Sequence, residues 1–351
     1  MIGLRTVTEP PRRLTQRDIA RMTGVSQATV SLVLNGRADG EVRIAPETRE
    51  RVLRAIQESG YVADPVARRL AARDNRIIGV FTYEPVFPSG NSDFYHPFLV
   101  GIEEQAEALG SDLLLLTSAP VVDGRRRIFH EGNRLRLADG CVLLGRSLDR
   151  AELTRLVADG LPFVSVGRRD DAGGPVPYVG ADYPSAVAAL VRRTVERGHS
   201  RLAYLGQGEG PESYADRMSG FRRGVAETGV TGVHETLAGR DLATVLDALA
   251  AGDVTAVLAE EHADGAALVE VARARGLAVP RDLSVLTLGE PTRAAAPTTL
   301  KFSGFEIPRR QMGREAVAVL TALIEGNPTE TQRLLPCALV DGATLAPPRK
   351  K

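Results

Sequence analysis

The chain has 351 residues, with 44 Lys+Arg balanced by 44 Asp+Glu, 43% hydrophobic and 25% charged, which is ordinary for a soluble globular protein of two or three domains. Cys141 and Cys337 are too few for a disulfide framework, and no apolar run approaches the ~20 residues that cross a bilayer. The N-terminus, with Arg12, Arg13 and Gln16, has no signal-peptide stretch, so a cytoplasmic protein without a membrane partner is expected.

The neutral total conceals an asymmetry. Residues 1–75 hold 13 Arg and 9 Asp+Glu, a balance of +4, which leaves −4 for the remainder. That sign suits an N-terminal head that meets phosphate.

Thr15 with Asp18 three residues on resembles a capping box and predicts a first helix from about Gln16 to Met22, while Gly24 permits the positive φ of a tight turn. Ser26 then caps a second helix, in which Val30, Val33 and Leu34 fall on the apolar side and Gln27, Ala28, Ser31 and Leu32 face outward. Such a face fits a major groove. The same spacing also serves a small helical bundle in which Ala20, Gly24 and Val30 only pack. After a polar loop at 36–45, Pro46 suits the start of a third helix with Val52, Leu53 and Ile56 as its stripe. The run from Tyr61 to Arg73 offers Asp64 as cap, Pro65 as opener and about two helical turns, too few to be stable alone in water. Its Arg68, Arg69 and Arg73 suit phosphates or simply solvate a linker, and Leu70 has no core to join within the segment.

From Arg76 onward, short β-rich runs alternate with helical stretches, which predicts parallel sheets covered by helices. Ile77–Phe81, Leu113–Leu116, Cys141–Leu144 and Phe163–Val166 read as strands, joined by helices near Phe98–Leu109, Gly124–Leu137 and Ala151–Asp159. A second set has strands Leu202–Leu205, Ala256–Ala259 and Leu283–Leu288, with helices near 185–197, 218–228, 242–250 and 265–275. Two α/β lobes in series suggest a clamshell with ligand between them, at the carboxyl ends of the strands. Thr344 onward reads as a short polar tail, and no terminal leucine heptad supports a coiled coil.

The chain resembles the LacI/GalR (lactose repressor type) family of bacterial transcriptional regulators over essentially its whole length. The resemblance rests on Asp18-Ile-Ala, Gly24-Val-Ser26, Thr29-Val-Ser31, Val33-Leu-Asn35, Thr48-Arg49, Gly60-Tyr61 and Ala67-Arg-Arg-Leu70, in the family's order. It implies a helix-turn-helix head (1–62), a hinge helix (63–75) and a two-lobed periplasmic-binding-protein-like core (76–345). Lobe 1 is expected at about 76–170 plus 304–326 and lobe 2 at about 176–302 plus 331–345, with the last strand, Gln332–Leu339, in lobe 2. It further implies a homodimer on a palindromic operator, with a hinge that folds when two copies meet on double-stranded DNA and paired Leu70 side chains that wedge into the minor groove. One departure matters: the family usually has arginine after the Val-Ser pair, and this chain has Leu32. Leu32 offers a thymine methyl only apolar surface, or else it packs inward; Gln27 is then the best hydrogen-bonding reader, with Ser26, Thr29 and Ser31 nearer phosphates. Thr15, Ala28 and Asn35 complete the expected DNA-binding set with Arg68, Arg69, Leu70 and Arg73.

Enzyme chemistry has little to run on. Lys301, Lys350 and Lys351 follow no glycine, so a Walker loop is excluded, and Gly206-Gln-Gly208-Glu-Gly210 has Pro211 where a dinucleotide fingerprint needs its third glycine. The five histidines show no metal-ligand spacing, and Gly145-Arg-Ser147-Leu-Asp149 fails as a nucleophile elbow. No cofactor or metal is expected. For effector binding, Arg217 stands where the family places an arginine that grips hydroxyls or carboxylates, although a surface ion pair would also explain it. Tyr83, Glu84, Phe94 and Tyr95 follow the first strand and line a cleft or a core, and Arg146 joins the set. Where many members have Asn-Asp and Tyr-Asp, this chain has Glu260-Glu261 and Gly289-Glu290, so its ligand need not be a common hexose. The expectation is a repressor responsive to a sugar or related metabolite. The alternatives are a sugar-processing enzyme with a DNA head and a regulator whose core binds a partner protein.

Overall fold

Local sequence signals place the helices of the N-terminal unit (Met1–Asn75) in the computed structural model, which describes residues 14–34, 44–59, 61, 75–85, 92–290, 300–327 and 329–349. Helix α1 (Gln16–Thr23) opens on a complete capping box: Thr15 Oγ1 accepts from the Asp18 amide at 3.4 Å, and Asp18 Oδ2 accepts from the Thr15 amide at 2.9 Å. Gly24 ends it at φ 68°, in the left-handed region that favours glycine. Ser26 Oγ accepts from the Thr29 amide at 3.1 Å at the start of α2 (Gln27–Leu34). Ile19, Ala20, Val30 and Val33 pack with Val52 of α3 (Pro46–Ser59) and Tyr61. Leu53 departs from the predicted stripe and is 46% exposed, because Val52 and Ile56, four residues apart, already occupy the inward side.

The second unit, Arg76–Lys351, contains two six-stranded sheets. The first runs β13 (Gln332–Leu335), β7 (Tyr178–Ala181), β6 (Phe163–Val166), β5 (Gly140–Leu144), β1 (Ile77–Thr82), β2 (Asp112–Leu116), all parallel. The second runs β14 (Ala338–Val340), β12 (Ser303–Glu306), β11 (Ser284–Thr287), β10 (Ala256–Ala259), β8 (Arg201–Leu205), β9 (Thr231–Glu235), parallel except for the β12–β14 pair. One apolar cluster runs through both lobes, from Val80, Ile102 and Leu320 to Tyr204, Leu286 and Phe305.

These sheets correct the lobe boundaries read from the sequence. β7 lies within the range assigned to the second lobe yet pairs with β6 in the first, and β12 pairs with β11 in the second. The single last strand expected at Gln332–Leu339 is two strands in different sheets. Pro336, between them, has no amide to continue a ladder. The chain therefore passes between lobes after Ala181, after Glu306 and after Leu335.

Two further expectations give way. The predicted helix near Gly124–Leu137 is a hairpin of β3 (Val121–Val122) and β4 (Arg125–Arg126) followed by a single 3-10 turn, Leu135–Leu137. Asp123 and Gly124, at φ 51° and 75°, form the left-handed two-residue turn that an Asp-Gly pair favours between strands. The polar tail is instead seated on the second sheet: Thr344 is fully buried, its carbonyl accepts from the Val285 amide at 3.0 Å, and its Oγ1 accepts from the Ser303 amide at 2.9 Å.

On the first lobe, helices Ser92–Ala108 and Arg309–Glu325 cross at backbone distance. A Cβ on Gly101 would stand 1.9 Å from the Arg310 carbonyl oxygen, and one on Gly313 would stand 2.2 Å from that of Phe98. Only glycine allows this approach, which brings Phe98 and Met312 together at the wall of the interlobe cavity. Among the described residues no helix is long and apolar enough to cross a membrane, and no cluster of metal-ligating side chains is present.

Candidate functional site

Helix α2 presents Ser26, Gln27 and Ala28 exposed, with Thr29, Ser31 and Leu32 half-buried beside them. Arg17, which sequence reasoning did not single out, donates from Nε to Gln27 Oε1 at 3.3 Å and steadies the expected reader. Ser26 Oγ and Thr29 Oγ1 share a hydrogen bond at 2.9 Å, and the Thr15 hydroxyl donates to Asp18 within the capping box at 2.7 Å. Among the described residues, Leu32 is not one of those packed on the head's apolar cluster, whereas Leu34 is. Asn35, Arg68, Arg69, Leu70, Arg73 and the expected hinge helix lie outside the described residues, apart from Asn75 at the hinge's end.

The second unit holds a cavity of ≈ 120 Å³ at the carboxyl ends of its strands. The first lobe contributes Phe94, Tyr95 and Phe98, then Arg146 after β5, Arg168 and Arg169 after β6, and Arg309. The second lobe contributes Tyr183, Tyr214, Asp216 and Arg217, then Glu261 after β10 and Glu290 after β11. Parallel strands place their ends on one edge, so residues distant in sequence converge there.

Of the residues expected to bind effector, Phe94, Tyr95, Arg146, Arg217, Glu261 and Glu290 line this cavity. Glu84, also expected there, is not on the wall; it accepts a short hydrogen bond from the Tyr95 hydroxyl. Burial, reinforced by Glu84, raises the Tyr95 pKa far above the usual phenol value and keeps it a donor. Tyr83, just past the end of β1, does not belong to the site: it is 1% exposed in the first lobe's core with Leu143, Leu153 and Leu156, edge-on to Phe81 at 4.9 Å.

Glu260 is also corrected. It is 1% exposed, accepts from the Tyr204 hydroxyl at 2.5 Å and from the Gln207 amide at 2.6 Å, and is absent from the cavity wall. The glycine-rich turn at Gly206–Gly208 thus wraps an internal carboxylate; a Cβ on Gly206 would stand 2.4 Å from the Glu260 Cβ. Its amides, which could have cradled a phosphate, are already engaged.

Arg217 is no surface ion pair. It is 6% exposed, lies 4.0 Å above the Tyr183 ring, and donates from Nε to the Leu288 carbonyl at 2.8 Å and from Nη1 to the Ser213 carbonyl at 3.0 Å. Burial opposes its charge, yet Tyr183 and the acids Glu261 and Glu260 hold its pKa above the ordinary arginine value. Glu261 accepts from the Tyr214 hydroxyl at 2.9 Å, and burial with that neighbour pushes the Tyr214 pKa up to about 12.

Sequence reasoning missed the pairs that join the lobes across the cavity. Arg168 donates from Nε to both Asp216 oxygens, at 3.0 and 2.7 Å. Arg169, 3% exposed, donates to the Gly145 carbonyl at 2.6 Å and reaches Glu212 at 3.2 Å, while burial lowers its pKa. Arg309 pairs closely with Glu290, whose other oxygen accepts from the Ile307 amide at 3.0 Å. The available signal was position: Arg168-Arg169 comes one residue, Gly167, after a buried strand whose end faces the cleft.

Comparison with known proteins agrees with this architecture. The model for bacterial regulatory proteins of the lacI family matches residues 15–64, and that for a periplasmic binding protein-like domain matches residues 191–345. The chain is 31% identical over 342 residues to the HTH-type transcriptional regulator CelR of Thermobifida fusca, covering 93% of this chain and 96% of that protein. It is 26% identical over 313 residues to catabolite control protein A of Priestia megaterium, covering 87% and 90%. Its fold is similar to that of the lac repressor dimer bound to operator and the anti-inducer ONPF, with a TM-score of 0.70 at 19% identity over 95% of this chain and 100% of that one. A complex of transcriptional regulator CelR with cellobiose gives a TM-score of 0.60 at 28% identity, again over 95% and 100%.

Proposed function

The chain belongs to the LacI family of bacterial regulatory proteins, and from that premise we propose that this DNA-binding transcriptional regulator is a repressor whose operator affinity is set by a small polar effector held between its lobes. A sugar or sugar derivative is the first class to test, since a similar regulator is described as a complex with cellobiose. The carrying observation is the interlobe cavity, whose wall draws Arg146 from one lobe and the buried Arg217 from the other. A ligand touching both sides favours one lobe arrangement, and a coupling free energy of typically ~1–3 kcal/mol would change DNA affinity by about 5- to 150-fold.

In this reading the α2 face carries Ser26, Gln27, Ala28, Thr29, Ser31 and Leu32 to the major groove, and a homodimer matches a palindromic operator. Arg68, Arg69, Leu70 and Arg73 contact the DNA between the half-sites. The core binds its ligand without turning it over, and the protein works in the cytoplasm on the nucleoid.

The test begins with operator selection from random DNA using the full chain, followed by fluorescence anisotropy on the selected site with and without a panel of sugars and sugar derivatives. A palindromic site and a ligand-dependent change in affinity are expected. A site without twofold symmetry overturns the dimeric head, and ligand consumption seen by chromatography overturns the non-catalytic core.

A further inference from the structure

Donors and acceptors are unevenly spent around the cavity. Five guanidinium groups line it, those of Arg146, Arg168, Arg169, Arg217 and Arg309, against three carboxylates. Each carboxylate already serves the protein. Both Asp216 oxygens accept from Arg168, Glu290 takes the Ile307 amide and Arg309, and Glu261 accepts from the Tyr214 hydroxyl.

The donors are less fully used. Among the described residues Arg146 has no carboxylate partner and lies 4.7 Å from the Phe94 ring centre. Among the described residues Arg217 has only the Leu288 and Ser213 carbonyls as hydrogen-bond acceptors. Among the described residues the buried Nε groups of Arg169 and Arg309 find no hydrogen-bond partner, although these residues are only 3% and 8% exposed. Arg309 also lies 5.1 Å from the Phe94 ring, so two cations share one aromatic neighbour.

A sugar hydroxyl donates as well as accepts and needs acceptors in the wall, whereas an ionised carboxylate or phosphate only accepts. Guanidinium–oxyanion hydrogen bonds are also charge-assisted and match the planar fork. Building on the effector reading above, we propose that the ligand is a sugar or polyol bearing an oxyanion, received by Arg146 and Arg217 from opposite lobes. Arg168, Arg169 and Arg309 are offset by ion pairs with Asp216 and Asp170, with Glu212 and with Glu290, so among the described residues Arg146 and Arg217 are the cavity's guanidinium groups without a carboxylate partner. The neutral parent sugar lacks the group that this wall is built to meet.

Calorimetry on the full chain tests this with matched sets of hexose, uronate and hexose phosphate, and of cellobiose and cellobionate, with inorganic phosphate as control. The expected result is an acid or phosphate that binds at least about tenfold tighter than its neutral parent, by a margin that shrinks in high salt. Preference for uronate identifies a carboxylate ligand, and preference for hexose phosphate identifies a phosphorylated one. Arg146→Gln, at an exposed position, should cut that preference about tenfold without moving the melting temperature.

A neutral sugar that binds as tightly as its acid and phosphate overturns the oxyanion proposal and leaves the effector site standing. Inorganic phosphate binding as tightly as the hexose phosphate reduces the site to general anion attraction and also overturns it. If no member of any set binds or alters operator affinity, both the oxyanion proposal and the effector reading fail.

Discussion

The DNA-reading face and the interlobe cavity are built in opposite ways. The first is one side of an eight-residue helix, fixed by a cap at Ser26 and by Val30 and Val33 beneath it. The second is assembled from the ends of β5, β6, β10 and β11 and the starts of four helices, and its charged pairs join Arg168 to Asp216, 48 positions on, and Arg309 to Glu290. A local face can change its specificity by one substitution at little cost to folding. A convergent site binds each side chain into the packing of two lobes, so its variants must be separated from folding defects.

The largest expected effect exploits that contrast. Arg217→Ala should abolish the ligand response while operator binding in the absence of ligand stays within about twofold, because the cavity and the α2 face belong to different units. Arg217 also bonds two backbone carbonyls, so thermal unfolding must accompany the calorimetry. Retained ligand affinity in a folded variant would remove Arg217 from the site.

Leu70→Ala comes next and probes the DNA-binding side. Specific operator binding should weaken by roughly 1–3 kcal/mol while binding to random DNA changes little, both measured at one salt concentration. Equal losses on the two DNAs would show that Leu70 does not read or bend the operator.

Leu32→Arg sharpens the comparison at a single base pair. Among the described residues the half-buried Leu32 does not pack on the head's apolar cluster; if its exposed part meets a thymine methyl, the selected half-site should show T·A there. Arginine should move that position toward G·C with ~1–3 kcal/mol of discrimination, without altering the ligand response. The same base selected by both proteins would assign specificity to Gln27 and DNA shape instead.

The smallest effect concerns acid stability, and it belongs to the second unit alone, because all five histidines lie beyond residue 75. Burial lowers the pKa of His199, which bonds Thr255 and the Ala346 carbonyl at 2.8 Å each, and burial likewise lowers that of His262. The unfolded chain takes up these protons near pH 6.5, before the folded chain does. The neutral rings therefore stabilise fully above that pH, and the contribution declines as pH falls toward the lower folded-state values. His199→Gln should make the loss of melting temperature between about pH 7 and pH 5 shallower. An unchanged slope would place the acid sensitivity elsewhere.

The sequence by itself determined the elements whose causes are local. The Thr15–Asp18 capping box, the Gly24 turn and the Ser26 cap lie within a few residues of the helices they shape, and the buried strands β1, β5, β6, β8, β10 and β11 announce themselves as apolar runs between helical stretches, whereas β7, with Tyr178 and Gly180 in a four-residue strand, does not. The Asp123-Gly124 hairpin was equally local, and was obscured because the surrounding length suited a crossover helix. Only the tertiary structure decided which of two adjacent glutamates faces the ligand. Glu260 turns inward to the Tyr204 hydroxyl and the turn at Gly206, while Glu261, one residue on, reaches the cavity. Only the sheets decided that the chain crosses again at Pro336, and only strand convergence brought Arg168 to Asp216 and Arg309 to Glu290. Helix caps and apolar periodicity are properties of neighbouring residues, whereas a buried charge is settled by which partner the folded chain delivers within hydrogen-bond reach.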